Sequence, residues 1–359
     1  MLVKRKDLKE MLESIRPGLA KDKNTNQDCH FIFTGEEVVT HNGRISISYP
    51  FESEIAFSVK GEEFFRLIDG IEEDDVDIAL SGNRVRITTA STTSEIAALG
   101  KDKDTFSATH ELLKGGRVNW KKLPDNFLEG ISLCAFSVVP DLTAGVHNCV
   151  GIMEGYCWAV DHARASLYEL SEQPEDIINI PGNAASELSK FPVVEYAIGN
   201  NWMHFRTSSG VIFSHKEMTG ELDISQIKEM IPIMMEFPSF KLPPELKTVV
   251  NATVILATDL ADKTGKLLKV KIASDGKITV NASNILGFVE KFLKCEYRGE
   301  EINLRINSKF LSQILERSTT MSIGTEAQRK ALLFTSGNFT HLLAQTGKTE
   351  PKAEAPKEA

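Results

Sequence analysis

The chain has 359 residues, of which 42% are hydrophobic and 25% charged, a composition typical of a globular protein with two or three domains. Its formal net charge of −9 argues against a protein that simply coats nucleic acid with a basic surface. No apolar run approaches the roughly eighteen residues of a membrane span, and the first residues, MLVKRKDLKEMLESI, are unlike a signal peptide.

The predicted elements follow a pattern that occurs three times: an amphipathic helix, several short strands, a second helix and more strands. The first helices are predicted in KRKDLKEMLESI, KKLPDNFLEGISL and PPELKTVVNATVI, near Leu8, Phe127 and Val249. Their regular spacing indicates one structural unit repeated along the chain.

The second helix of each repeat is the clearest predicted element. These helices are expected in GEEFFRLIDGI, GNAASELSKF and NSKFLSQILERS, where apolar residues recur at helical spacing. Gly61 and Gly182 are 121 residues apart, and Gly182 and Ser308 are 126 residues apart. The repeat length is therefore about 120 residues.

A β-hairpin is predicted after each second helix. The segments VDIALSGNRVRITTA, VEYAIGNNWMHFRTS and ALLFTSGNFTHLLA alternate polar and apolar residues around a Ser-Gly-Asn or Gly-Asn-Asn corner. The fold class expected is therefore α+β, with similar domains at residues 1–117, 118–237 and 238–346. Residues 347–359, rich in Lys, Glu, Pro and Ala, are expected to be a disordered tail.

Motifs of common enzyme and cofactor sites are missing from the sequence. There is no GxxxxGK[ST] loop, no GxGxxG opening a helix, no HExxH and no GxSxG. The five cysteines include no CxxC pair, so neither a disulfide framework nor a zinc site is predicted, and a reducing cytoplasm is expected. We predict no metal and no cofactor.

The segment AVDHARASLYEL concentrates polar residues, and two interpretations of it stay open. Asp161, His162 and Arg164 are the residues that a hydrolase would use, although a separate nucleophile would be needed. Alternatively, a strand ends here in a polar turn, in which Asp161 accepts hydrogen bonds from loop amides.

The same segment resembles part of the bacterial DNA sliding clamp, the beta subunit of the replicative polymerase. AVDHARA is similar to the T-D-G-H-R-L stretch of that family through Asp161 and Arg164, with His162 displaced by one place. IPGNAASELSKF, GELDISQIKEMIP and GNFTHLLAQT extend the resemblance over about 345 residues. Leu222, Ala165 and residues 344–346 depart from the family pattern, as expected of a diverged clamp such as one encoded by a phage.

The resemblance implies a non-enzymatic ring that encircles double-stranded DNA without reading its sequence. Such a ring acts as a processivity factor, and it binds the replicative polymerase and the clamp loader through short linear motifs. A non-replicative structural α+β protein is the alternative from another class. The expected location is the cytoplasm of a bacterium or of an infected host, with no contact to a membrane.

Three sets of site residues follow from the resemblance. The partner-peptide groove is expected at Val160, His162, Ala163, Arg164, Ala165, Leu222, Gln226, Ile227, Leu342, Leu343, Ala344, Gln345 and Thr346. A head-to-tail homodimer is expected to join through edge strands at Ile96, Ala97, Ala98 and Leu99 and at Val254, Ile255 and Leu256. DNA is expected to face helical cations, namely Arg5, Lys9, Lys21, Lys23, Lys121, Lys190, Lys247, Lys309 and Arg317.

Within the groove, Val160, Ala165, Ile227 and Leu342 are expected to form a shallow apolar pocket. Arg164 and Gln226 are expected at its rim as donors to peptide carbonyls.

The charge distribution agrees with a ring that slides on DNA, because residues 1–23 carry +3 and the remainder carries −12. An acidic exterior would repel DNA, and a locally basic wall would centre it.

Overall fold

A computed structural model describes residues 1–20, 29–99, 118–260, 265–324 and 331–346. Lys21, Lys23, the domain boundary at residue 117 and the tail 347–359 lie outside the described residues, so what was predicted for them stays a prediction. In the described part of the chain, no helix is long and apolar enough to cross a membrane. The five cysteines all lie within the described residues, and they form no disulfide.

The helices confirm the predicted repeat and add one element to it. The first helices of the three repeats are α1, α3 and α6, and the second helices, α2, α4 and α7, start at the predicted positions. A further helix, α5, has no counterpart in the predicted pattern. The α-helices within the described residues are α1 (Arg5–Ile15), α2 (Gly61–Asp69), α3 (Phe127–Cys134), α4 (Gly182–Leu188), α5 (Ser225–Met235), α6 (Leu246–Thr253) and α7 (Ser308–Leu315).

The strands are short, and a strand leads directly into α2, α4 and α7. In chain order they are β1 (Leu2–Lys4), β2 (His30–Phe33), β3 (Glu37–His41), β4 (Ile45–Pro50), β5 (Phe57–Lys60), β6 (Asp75–Ser81), β7 (Arg84–Thr88), β8 (Thr93–Leu99), β9 (Lys121–Lys122), β10 (Cys149–Met153), β11 (Tyr156–Val160), β12 (Arg164–Glu169), β13 (Ile178–Pro181), β14 (Val193–Gly199), β15 (Trp202–Thr207), β16 (Ile212–Lys216), β17 (Ser239–Lys241), β18 (Leu267–Ile272), β19 (Lys277–Asn284), β20 (Gly287–Lys294), β21 (Ile302–Asn307), β22 (Thr320–Ile323), β23 (Ala331–Ser336) and β24 (Phe339–Ala344).

The predicted hairpins are confirmed as β6–β7, β14–β15 and β23–β24. Their corners need a backbone in the left-handed region, which Gly and Asn tolerate best. Asn200 and Asn201 have φ of 55° and 63°, and Gly337 has φ of 54°. The Ser-Gly-Asn and Gly-Asn-Asn signals therefore correctly located these turns.

The chain divides into two compact units, of which the first comprises residues 1–132 and 171–220. Twelve of its strands form one sheet in the order β1-β6-β7-β8-β5-β2-β3-β4-β16-β15-β14-β9. The pair β4–β16 joins segments far apart in the sequence, with Ile47 opposite Phe213. Phe33 stacks on Phe57 at 4.3 Å, and Phe64 of α2 meets the Phe33 ring edge-on at 5.9 Å, so α2 is anchored to this sheet.

The second unit comprises residues 133–170 and 221–359. Seven of its strands follow one another in the order β10-β11-β12-β24-β23-β22-β17, and another four form a sheet in the order β20-β19-β18-β21. The pair β12–β24 places Arg164 opposite Leu343 and Ala165 opposite Leu342. Neighbouring residues of a strand point to opposite faces, so this register decides which side chains share a face.

Two buried histidines of the first unit, His204 and His215, make its stability depend on pH. His204 Nδ1 lies 2.8 Å from Ser214 Oγ, and His215 Nδ1 donates to the carbonyl of Lys216 at 2.8 Å. Burial lowers the pKa of each imidazole from 6.5 to about 4. Between these values only the unfolded chain binds the proton, so stability is complete above pH 6.5 and is lost as the pH falls towards 4.

We expect the free energy of unfolding of the first unit to fall between pH 7 and pH 5. The slope approaches about 1.4 kcal/mol per pH unit for each histidine over this range. Urea unfolding followed at several pH values measures it, and His204→Gln should remove part of the slope. An unchanged free energy of unfolding at pH 5 would contradict this assignment.

Candidate functional site

The turn between β11 and β12 is held together by Asp161. Its Oδ1 accepts hydrogen bonds from the backbone N–H groups of Ala163 at 2.8 Å and Arg164 at 3.0 Å, and its Oδ2 accepts from Arg164 Nε at 2.8 Å. The polar-turn interpretation is therefore confirmed. Within the described residues, no hydrogen bond joins Asp161 to His162, which is exposed, so the geometry does not favour the hydrolase alternative.

Arg164 is a buried residue rather than a donor at the rim of a groove. Its Nη1 donates to Gln313 Oε1 at 2.6 Å, and its guanidinium carbon lies 4.0 Å from the ring centroid of Phe310 and 5.2 Å from that of Phe136. Burial lowers the pKa of Arg164, and the charge of Asp161 opposes that shift. The expectation that Arg164 donates to a peptide carbonyl is wrong, because the guanidinium is already bound within the protein.

Behind this ion pair, buried polar side chains continue across the same face of the sheet. Ser166 Oγ lies 2.7 Å from Ser137 Oγ and 2.8 Å from His341 Nδ1. Burial, together with the charges of Arg164 and Arg317, lowers the pKa of His341 well below its usual value, so the imidazole is neutral. We call this side of the seven strands the α7 face, since Phe310 and Gln313 belong to α7.

The opposite side of the seven strands, which we call the α5 face, is apolar. It is formed by one cluster that contains Val160, Ala165, Leu222, Ile227 and Leu342, which are five of the predicted groove residues. Four of them form the predicted pocket. The structure therefore brings together residues that are up to 182 positions apart.

Other residues of this cluster were missed by the sequence analysis. They lie on β10, β11, β12, β23 and α5 and on the segments that flank β10 and α5. Alternation along β11 places Trp158 beside Val160, and that signal was available from the sequence. The additional members of the cluster are Trp158, Leu167, Ile224, Ile231, Met234, Ala331 and Leu333, with Val146, Met153, Tyr156 and Phe237 packed against them.

The remaining predicted groove residues differ in their placement. Leu343, which was expected to line the groove together with Leu342, is fully buried and lies opposite Arg164 on the α7 face instead. Ala344 is on the α5 face, and its N–H donates to the carbonyl of Ala163 at 2.7 Å. Gln226 is exposed. Beyond β24, the N–H of Thr346 donates to the carbonyl of Arg305 at 2.8 Å, and Gln345 Oε1 accepts from the N–H of Arg305 at 3.3 Å.

Helix α5 covers the apolar cluster. Ile231 and Met234 of α5 are buried, together with Leu222 and Ile224 just before it. Lys228 forms an ion pair with Glu154 in the β10–β11 turn, and its Nζ lies 5.9 Å from the centre of the Trp158 indole. Ala165, Leu222 and Leu342 are each at most 4% exposed, so the pocket is filled by the protein's own side chains.

The candidate DNA-facing cations mostly have carboxylate partners. Ion pairs join Lys9 to Asp69, Lys190 to Glu187, and both Lys247 and Arg317 to Glu316. Arg5 of α1 and Lys309 of α7 form no ion pair within the described residues.

Lys121 was expected on a helix but lies in β9. Its Nζ is 2.9 Å from Glu175 Oε2 and 2.8 Å from Asp176 Oδ2. That expectation about its element is wrong, because the residue after Trp120 pairs with β14 instead of starting a helix.

The predicted joining edges also differ from the structure. Ala98 and Leu99 pair with β5, so the side of β8 without a second strand partner in the described region is Thr93–Ala97. Val254–Leu256 form a 3-10 turn rather than a strand. The edge strand beside this turn is β20, which pairs only with β19 among the described strands.

No group of three or more potential metal ligands occurs in the described part of the chain. The geometry around AVDHARASLYEL therefore consists of an internally satisfied polar turn, a buried ion pair and an apolar patch under a helix. Such a patch suits binding of apolar side chains rather than bond-breaking chemistry.

No protein-family model matches the sequence, and no curated protein matches it either. Solved structures match along nearly the whole chain. The sliding clamp (DNA polymerase III subunit beta) from Bartonella birtlesii, bound to griselimycin, has a TM-score of 0.81 at 14% identity, over 97% of this chain and 99% of that one. The beta subunit from Streptococcus pyogenes has a TM-score of 0.77 at 15% identity, again over 97% and 99%.

The sliding clamp from Pseudomonas aeruginosa gives a TM-score of 0.76 at 13% identity, over 97% of this chain and 99% of that one. The α+β fold expected from the sequence is confirmed, and it is the fold of the bacterial sliding clamps. At this level of identity, the similarity is one of fold.

Replacing Arg164 by Ala should lower the free energy of unfolding by about 3–5 kcal/mol, since Asp161 would keep a buried charge without its partner. Arg206→Ala is the matched control. Arg206 also pairs with a carboxylate, that of Glu195, but both side chains are 35% exposed, so a loss of about 0–1 kcal/mol is expected. Equal losses of unfolding free energy in the two variants, measured with denaturant, would show that breaking the Arg164–Asp161 ion pair costs no more than breaking an exposed one.

Proposed function

We propose that the protein is a DNA sliding clamp: a ring that encircles double-stranded DNA and tethers a DNA polymerase as a processivity factor. The observation that carries this proposal is the likeness to sliding clamps over 97% of the chain, with TM-scores up to 0.81. A clamp acts by topology and contact, so the proposed role involves no catalysis and no cofactor. The proposed partners are duplex DNA, a replicative polymerase and a clamp loader.

Three domains, at residues 1–117, 118–237 and 238–346, are part of this proposal. It is supported by the recurrence of a short strand before α1, α3 and α6, and of a strand leading directly into α2, α4 and α7. The pairs β4–β16 and β12–β24 would then be the bonds between consecutive domains, since each joins strands from both sides of a proposed boundary. Continuous backbone pairing would make those junctions stiff.

A head-to-tail homodimer is proposed because the second unit presents an apolar surface around the β19–β20 hairpin. Ile285 is completely exposed and Leu286 is 83% exposed at its turn, and Phe288 and Phe292 are exposed along β20. Ile255, in the turn beside this strand, is 75% exposed. An unpaired edge strand with so much exposed apolar surface is a liability that pairing with a second chain removes.

The other half of the proposed interface is the free edge of β8 at Thr93–Ala97. Joining β8 of one chain to β20 of the next is a heterologous contact, which forms a ring when the rotation closes. Two chains of three domains give six domains in such a ring. The residues Ile96, Ala97, Ala98, Leu99, Val254, Ile255 and Leu256 stay the predicted neighbourhood of the contact.

Light scattering should give twice the chain mass of 39.8 kDa for the wild type. Leu286→Asp combined with Phe288→Asp should shift it to a single chain mass, because two charges would be placed in an apolar contact. Leu142→Asp, at an exposed leucine away from the hairpin, is the control and should leave the mass unchanged. A wild type with the mass of one chain at micromolar concentration would contradict the dimer, and three times that mass would call for a trimer.

Cations on α1, α6 and α7 are proposed to meet phosphates loosely, without reading bases. Lys309 is the clearest candidate, since it is exposed on α7 and lacks a carboxylate partner within the described residues. Lys247 lies on α6, which packs on α7, and it forms an ion pair with Glu316. A small number of such contacts suits a protein that must slide, because each phosphate contact adds salt-dependent affinity.

The ring can be tested by trapping. Linear DNA incubated with the protein and then ligated into circles should retain it through gel filtration, and cleavage of the circles should release it. Lys247→Glu with Lys309→Glu should reduce the trapped fraction several-fold at low salt, and Lys269→Glu, on an exposed position of strand β18, should not. Equal retention on linear and circular DNA would rule out encirclement.

The α5 face is proposed as the docking site for short linear motifs of the polymerase and the loader. Support comes from the five predicted residues that meet in one apolar cluster. Apolar peptide side chains would bind there, and the buried turn at Asp161 would hold the wall of the groove. In the free protein α5 covers this face, so a peptide can reach the apolar cluster only when α5 moves.

A further inference from the structure

Trp158 has an unsatisfied hydrogen-bond donor beneath α5. The side chain is 1% exposed, and its Nε1 has no hydrogen-bond partner among the described residues. A buried N–H without an acceptor raises the free energy of the folded state, because the water that it bonded in the unfolded chain is not replaced. The apolar cluster therefore contains one defect that its own residues do not repair.

The helix over Trp158 is attached mainly by apolar contacts. Within the described residues, Lys228 makes the polar links from α5 to the sheet, through its ion pair with Glu154 and its cation–π contact with the Trp158 ring. Both side chains are partly exposed, at 39% and 54%, so this ion pair contributes little to holding the helix. Contacts of Ile231 and Met234 are not directional, and other apolar side chains can take their place.

A peptide can supply everything that α5 supplies to this face, and one group more. Its apolar side chains would fill the same positions, and an extended peptide backbone also presents free carbonyl oxygens along its length. Helix α5 leaves carbonyls free in its last turn and opposite Pro232, and none of them bonds Trp158 Nε1. A carbonyl placed over β11 would accept the hydrogen bond that Trp158 Nε1 lacks. Binding would then remove the defect of the covered state.

Resting on the proposed clamp function, we propose that Trp158 is a specificity-determining residue of the groove. Helix α5 is a displaceable cover, so Gln226 and Ile227 of the predicted groove move away with it. A partner peptide that replaces α5 then binds the residues of β11, β12 and β24 and accepts a hydrogen bond from the indole N–H. Recognition then requires a carbonyl acceptor at this position as well as apolar side chains. Lys228 and Glu154 set how readily the cover opens.

The outer side of α5 offers a competing way to dock. Met230, Ile233 and Met235 are exposed there, so a partner could lie on top of the helix. The covered side is favoured because it alone combines the predicted groove residues with an unsatisfied donor. The two modes differ in whether Trp158 changes its surroundings.

The decisive variant replaces Trp158 by β-(3-benzothienyl)alanine, an isostere of tryptophan that lacks the N–H. The probe is an acetylated Gln-Leu-Ala-Leu-Phe peptide carrying a fluorophore, and the readout is anisotropy. We expect Kd to rise about 3- to 10-fold, the usual range for one lost hydrogen bond, with an unchanged or higher Tm of the free protein. The same replacement at Trp202 is the control and should leave Kd unchanged.

A second measurement follows the cover itself. In a Trp120→Phe, Trp202→Phe background, Trp158 is the sole tryptophan, and unlabelled peptide should shift its emission and change its quenching by acrylamide. Lys228→Ala should tighten binding about 2-fold, as the release of a partly exposed ion pair predicts. Met230→Ser with Ile233→Ser should bind as well as the wild type.

The outcomes separate this inference from the function on which it rests. No binding of the peptide to the wild type up to millimolar concentration would contradict the groove itself. Binding that is insensitive to the isostere would overturn the role of Trp158 and leave the groove in place. Loss of binding in the Met230, Ile233 variant, with unchanged Trp158 emission, would show a partner on top of α5 and overturn the displaceable cover.

Discussion

The structure of the second unit depends on the backbone pairing of β12 with β24. β12 lies between β11 and β24, so its backbone groups are paired along both edges. Buried backbone groups that lost these partners would cost free energy at every residue, which makes the register hard to change. A slip by one residue would exchange the two faces and place Arg164 under α5 and Ala165 against α7.

The buried polar side chains of the α7 face strengthen this choice of register. Arg164 fits one position, where Asp161, Gln313 and the rings of Phe310 and Phe136 surround its guanidinium. A buried ion pair contributes little net stability compared with apolar packing, and breaking it is costly. Its effect is therefore to disfavour alternatives to the native register. The polar side chains of the α7 face therefore also fix the positions of the residues on the α5 face, which contributes no polar side chains to this effect.

Local signals in the sequence predicted most of the regular elements. Gly61, Gly182 and Ser308 begin helices as expected, and the Gly and Asn corners make hairpins, because each of these features is decided by a few neighbouring residues. The proximity of Val160, Ala165, Ile227 and Leu342 was expected from a family resemblance rather than from periodicity, and their role as a peptide pocket stays a prediction. Leu343 was misassigned, and alternation with Leu342 contained the information to place it on the other face.

Other features could not be predicted because they depend on distant residues. The burial of Arg164 requires Phe136, Phe310 and Gln313, which no local pattern connects to it. Helix α5 is apolar on both sides, so its hydrophobic pattern does not indicate which side is covered. Val254–Leu256 is a short apolar run, for which strand and helical turn are equally compatible with the sequence.

Strand β11 carries chemically distinct reporters on its two faces. Trp158 lies under α5, whereas Cys157 is fully buried on the α7 face, and burial raises the pKa of its thiol. Alkylating reagents attack the thiolate, so Cys157 should react only when the sheet itself opens. Movement of α5 would expose the indole and leave the thiol unreactive. The time course of modification at Cys157 itself, separated from that of the other four cysteines by peptide mapping, would therefore distinguish a moving helix from a fluctuation that unfolds the whole unit, when it is compared with indole quenching in the same sample.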